Sequence, residues 1–108
     1  MISEEAVDSA LQYLRDSAKE AAVARSQALT LKKYVEIVEA QEKVKWPELT
    51  NTAAQDQARA SKEYMVAYQG WQESVRKDCE FRMLREAASS RVEAWRTQSS
   101  NQRAGSKI

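Results

Sequence analysis

The sequence predicts an all-α fold, a long antiparallel helical hairpin that dimerises into a helical bundle. Three observations carry that expectation. Two glycines and one proline in 108 residues leave few places for turns, and 31% of the chain is charged, as helix exteriors require. Small and apolar residues recur in heptads from Val7 to Val38. A stop at Trp46-Pro47 is followed by a fresh capping pattern, which divides the chain into two helical lengths. The whole chain, 1–108, reads as a single helical domain.

Ser3 is placed to cap the first helix, and Glu4, Glu5 and Asp8 follow where carboxylates suit the positive end of the helix dipole. Val7, Leu14, Ala21, Ala28 and Val35 then repeat every seven residues, with Ala10, Ser17, Ala24, Leu31 and Val38 three further on. The middle of this seam is small, so a partner helix can approach closely there while burying little area. Lys43 and Lys45 favour a helix C-terminus, and the first helix is expected over about 4–44, on the order of 60 Å at 1.5 Å per residue. A turn follows at 46–51. Thr52-Ala53-Ala54-Gln55 has the spacing of a capping box and opens the second helix, about 53–102.

The second stripe is read through Ala54, Ala58, Ser61, Met65, Tyr68, Val75 and Cys79, and onward through Leu84, Ala88, Val92 or Arg91, and Trp95. Gly70 costs only about 1 kcal/mol against Ala, so the helix is extended past it, with a bend allowed there or near Cys79. Residues 103–108 read as a flexible tail, fraying from Asn101. Two such helices cover only one face of each other. Tyr64, Tyr68 and Trp71, with Trp95 further along, are therefore expected to be core or oligomer contacts. The alternative architecture is a three-helix bundle in which the C-terminal third folds back.

The chemistry is as informative as the pattern. No histidine is present, which removes the commonest general base and zinc ligand, and two isolated glycines form no phosphate-cradling loop. Glu36, Glu39 and Glu42 read as a solvated acidic face, because a di-metal helical site wants Glu-x-x-His pairs. The lone Cys79 reads as a small buried hydrophobe. No enzyme activity, metal or cofactor is expected. The longest run without charge, Tyr64 to Gln72, is far short of the roughly 20 residues that cross a bilayer, and the acidic Met1-Ile2-Ser3-Glu4-Glu5 start is unlike a signal peptide. A soluble, cytoplasmic protein with no membrane contact is expected.

Net charge is +1, yet residues 82–108 hold six basic and two acidic side chains. Arg82, Arg85, Arg91, Arg96 and Arg103, with Lys107, supply it among Ser, Thr, Asn and Gln, a mixture suited to phosphate contacts. The plainer reading is a solubilising helix end. The segment Val92-Glu93-Ala94-Trp95-Arg96-Thr97-Gln98-Ser99-Ser100-Asn101-Gln102-Arg103, preceded by Met83-Leu84-Arg85, resembles the C-terminal signature of small helical proteins encoded by tailed phages and prophages. Ala60-Ser61-Lys62-Glu63-Tyr64 is similar to the same group, so the resemblance covers the second half of the chain. It implies a setting in phage DNA metabolism or host takeover, in the host cytoplasm, and supplies no catalytic residues.

The expectation is thus a homo-oligomeric accessory protein that meets a protein or nucleoprotein of DNA recombination or replication through its basic end. The competing expectations are a structural or assembly protein of a virion, and an inhibitor of a host enzyme.

Overall fold

Local hydrogen bonding decides where the helices begin and end. In the computed structural model, which describes residues 1–106, the chain forms α1 (Glu4–Lys43), α2 (Asn51–Arg59) and α3 (Lys62–Ser106), with no strand among the described residues. The protein is an all-α helical hairpin. Ser3 caps α1 as its position suggests: its hydroxyl accepts from the Ala6 amide at 3.1 Å and its carbonyl from the Val7 amide at 3.1 Å. After Lys43 the bonding tightens to three-residue spacing, with the Lys45 amide donating to Glu42 and the Trp46 amide to Lys43, and Pro47 ends the run.

The second helical length departs from expectation at three points. Its cap is Thr50, not Thr52: the Thr50 backbone is extended (φ −62°, ψ 161°) and its hydroxyl accepts from the Ala53 amide at 3.2 Å. The helix is interrupted at Ala60–Ser61 and is continuous through Gly70 and Cys79, where the sequence allows a bend. Ser61 does both jobs at the break. Its hydroxyl donates to the Ala58 carbonyl at 2.7 Å, closing α2, and accepts from the Tyr64 amide at 3.2 Å, opening α3. Lastly, α3 runs to Ser106, so 101–106 are helical where a frayed tail is expected, and the C-terminal third continues α3 and does not fold back. Lys107 and Ile108, assigned above to the basic end and the tail, lie outside the described residues.

Along α1 every expected seam position is buried or half-buried, from Val7 and Ala10 to Val35 and Val38. The α3 seam differs from the expected stripe. It is a strict heptad through Tyr64, Ala67, Trp71, Ser74, Asp78, Phe81, Arg85, Ala88, Val92, Trp95 and Ser99, all buried or half-buried. Met65, Tyr68 and Leu84, assigned to the stripe, are exposed. The reason is that four seam positions, Ser74, Asp78, Arg85 and Ser99, are polar, and apolar neighbours one residue along imitate the stripe.

The fold gathers into two compact units, Met1–Ala22 with the described part of Cys79–Ile108, and Val23–Asp78. In the first unit Val7, Ala10, Ala88 and Val92 form the core, with Ile2, Tyr13, Leu14 and Trp95 packed on it. The Arg85 guanidinium donates to the Leu14 carbonyl and to the Ser17 hydroxyl, each at 2.7 Å, which satisfies a charge that would otherwise be costly in the seam. In the second unit Val35, Val38 and Ala67 form the core, covered by Tyr64 and Trp71. There Asp78, 8% exposed, meets Arg25 at 3.5 Å, and Arg59 of α2 meets Glu39 of α1 at 2.6 Å. The buried residues are chiefly Ala, Val and Ser. No large side chain is fully enclosed among the described residues.

Candidate functional site

A helical hairpin with a thin core places its chemistry on its faces, and the residues singled out by sequence separate into three groups. The first is the basic end. Arg82, Arg91, Arg96 and Arg103 are exposed, whereas Arg85 is half-buried and committed to Leu14 and Ser17. Arg96 is bonded to Glu93 at 2.7 Å. Heptad spacing aligns Arg82, Ser89, Arg96 and Arg103 along one flank of α3 and puts Arg91 on the other. Arg82 and Arg85, with Ser89, Ser90, Glu86 and Leu14, line an open groove of about 480 Å³. With Arg85 committed within the fold, the groove presents Arg82 and two serine hydroxyls, and Glu86 opposes an anion there.

Folding also changes the electrostatic context of that end. Its unit includes Met1–Ala22, which carries two basic and five acidic residues, beside six basic and three acidic in Cys79–Ile108. The unit as a whole is therefore neutral. The +4 of residues 82–108 is a local feature of one helix.

The second group is the aromatic set. Tyr64 stacks on Tyr68 with ring centroids 6.0 Å apart, and Trp71 meets Tyr68 edge-on at 5.7 Å. Tyr64 and Trp71 cover the chain's own core, which leaves Tyr68 as the exposed member. Trp95 packs on the core of the first unit and borders a small depression with Glu4, Asp8 and Leu11.

The acidic set is not the uniform solvated face expected of it. Glu42 is buried, at a position that continues the α1 seam, and bonds Lys45 at 2.8 Å; that bond is the main reason the Lys45 ammonium titrates above its ordinary range. Glu39 is half-buried against Arg59, and their hydrogen bond raises the Arg59 guanidinium likewise. Glu36 alone is exposed, bonded to Lys33 at 3.3 Å. Among the described residues no three carboxylates or thiols gather as metal ligands, Cys79 is a half-buried thiol, and no helix is long and apolar enough to cross a membrane.

A further surface escapes the sequence reading. Val23, Gln27, Thr30, Tyr34, Ile37 and Gln41 alternate by four and three along α1, with Val44 next in the row just past its end, and all are exposed and uncharged. Tyr34, Ile37 and Val44 are 51%, 53% and 77% exposed. This is a second heptad, offset by one residue from the buried seam of Ala24, Leu31 and Val38. Its signal in the sequence is a second apolar phase, masked by the stronger first one. Val44 also borders a groove of about 530 Å³ with Ala40, Trp46, Pro47 and Leu49, where the chain turns from α1 to α2. Compared with known proteins, the chain matches no family model, no curated protein and no solved structure.

Proposed function

We propose that the protein is a non-enzymatic accessory protein that binds other macromolecules through its helix faces, in the setting of phage DNA recombination or replication. One observation carries this reading: the interior is built of Ala, Val and Ser while Val23, Tyr34, Ile37 and Val44 stand outside it in one row. Scattered apolar side chains are ordinary on a surface, but a regular row of them beside a thin core is a surface organised for contact. The flank of Arg82, Arg96 and Arg103 adds a site for phosphates or for an acidic protein surface. The phage setting rests on the resemblance around Trp95, and the host cytoplasm follows from it.

The test has two arms. Affinity capture from host or infected cells, followed by mass spectrometry, should recover recombination or replication proteins. Recovery of capsid or tail proteins would instead favour the structural and assembly reading, which uses the same exposed apolar row. In the second arm, replacing Arg96 and Arg103 together by Ala should weaken binding to single- or double-stranded DNA across all sequences. It should also flatten the fall of affinity with salt by roughly one unit of slope for each phosphate no longer neutralised. Full DNA affinity in the double variant would reduce the basic end to a solvated helix terminus.

A further inference from the structure

Resting on that reading, we infer that the exposed seam Val23–Val44 pairs antiparallel with the same seam of a second copy of this chain. The seam spans nearly three heptads, is apolar at Val23, Tyr34, Ile37 and Val44, the last just past the end of α1, and covers on the order of 30 Å at 1.5 Å per residue. Its occupant is identified by the order of its residues. With a two-fold axis between Val35 and Glu36, Tyr34 of one copy meets Ile37 of the other, Thr30 meets Gln41 and Gln27 meets Val44, each layer occurring twice. The two central layers are apolar. The next layers on either side pair a hydroxyl with an amide, which can hydrogen bond across the interface.

Charge gives the same answer. The seam itself carries no charge, so it offers nothing to an acidic or basic partner surface. Beside it lie Lys33 and Glu36, exposed and already bonded to each other at 3.3 Å. The same axis brings Lys33 of each copy towards Glu36 of the other, so the pair becomes a four-charge alternating cluster. Parallel pairing would instead face the edge that carries Lys33 and Glu36 with the other copy's opposite edge, Leu31 and Val38, leaving no charge pair across the interface, and would stack like helix dipoles side by side. The buried seam on the adjacent stripe of α1 stays engaged with its own unit, so dimerisation needs no unfolding. Each copy keeps its C-terminal Arg flank.

The experiment uses the full chain at micromolar concentration. Sedimentation velocity should give a particle of twice 12.3 kDa. Ile37→Glu places a charge in both central layers on a residue that the hairpin itself does not bury, and should weaken the dimer at least tenfold with helicity unchanged. Orientation is read in a Cys79→Ser background by mixing a Thr30→Cys variant with a Gln41→Cys variant and adding a short bis-maleimide. Cross-linked heterodimer in the mixture, and little product from either variant alone, is the expected result. A monomer in sedimentation, a dimer that survives Ile37→Glu, cross-links only between like variants, or no cross-link at all would each overturn the inference. A monomer that still captures recombination proteins would remove the dimer and leave the proposed function standing. A cross-linked dimer that captures neither protein nor DNA would do the reverse.

Discussion

Arg85 occupies a heptad position where a hydrophobe would be expected, and it is tolerated because its Nη1 donates to two acceptors, the Leu14 carbonyl and the Ser17 hydroxyl. Hydrogen bonds from a charged donor in such a setting contribute about 1.5–3 kcal/mol. Arg85→Ala should therefore lower stability by about 2 kcal/mol in urea titration. Arg85→Met, which keeps the aliphatic stem in the seam, should cost less, because removing a half-buried charge together with its desolvation is cheaper than leaving a hole. Equal stability of Arg85→Ala and the parent protein would mean that the guanidinium holds nothing in place. The residue also explains a limit of sequence reading. Arg85 is legible as a cation and so falls to the basic surface, but nothing local in the chain says that its partners lie 71 and 68 residues away.

Elements are legible where their signals are local. Ser3 announces α1 through its own hydroxyl and the acids after it, and the α1 seam can be read position by position because almost all of it is apolar or small. The α3 seam is easily misread by one residue because Ser74, Asp78 and Arg85 interrupt its apolar character, and Met65, Tyr68 and Leu84 sit beside the true positions. The break at Ala60–Ser61 has neither Gly nor Pro to mark it. Its origin is a change of register: Ala54 and Ala58 are four apart, whereas Ser61, Tyr64 and Ala67 then follow by threes, faster than one continuous helix can keep on a single face. Ser61 makes the interruption inexpensive by serving both helix ends. Ser61→Ala should cost about 1 kcal/mol, and Ser61→Asp, which still accepts from the Tyr64 amide, should recover part of it. Circular dichroism followed through a denaturant series measures both. If the alanine variant is as stable as the parent, the bonds of Ser61 are incidental to the break. The candidate surfaces follow the same rule: the basic flank is legible as composition, whereas the Val23–Val44 row becomes visible only once the buried phase of α1 is assigned.

For the molecule as a whole, charge and burial both come out differently from their sequence totals. The cations of the C-terminal length share a unit with the acids of the N-terminal length, so any long-range attraction to a polyanion is cancelled a Debye length away, about 8 Å at physiological salt, and only close approach can exploit the Arg flank. Association rates with DNA should accordingly respond little to the overall field and strongly to the flank itself. The absence of any large, fully enclosed side chain among the described residues has a consequence in calorimetry. The heat capacity increment of unfolding comes chiefly from newly wetted apolar surface, and typical domains show about 12–15 cal/mol/K per residue. A hairpin closed over alanine, serine and valine should fall below that range once dilution dissociates the dimer, with a broad melting transition. Covering the Tyr34–Ile37 row should then raise both the heat capacity increment and the midpoint as concentration increases. A scanning calorimeter run across a hundredfold dilution series would read this directly, and a sharp, concentration-independent melt would show a chain that needs nothing beyond its own seam.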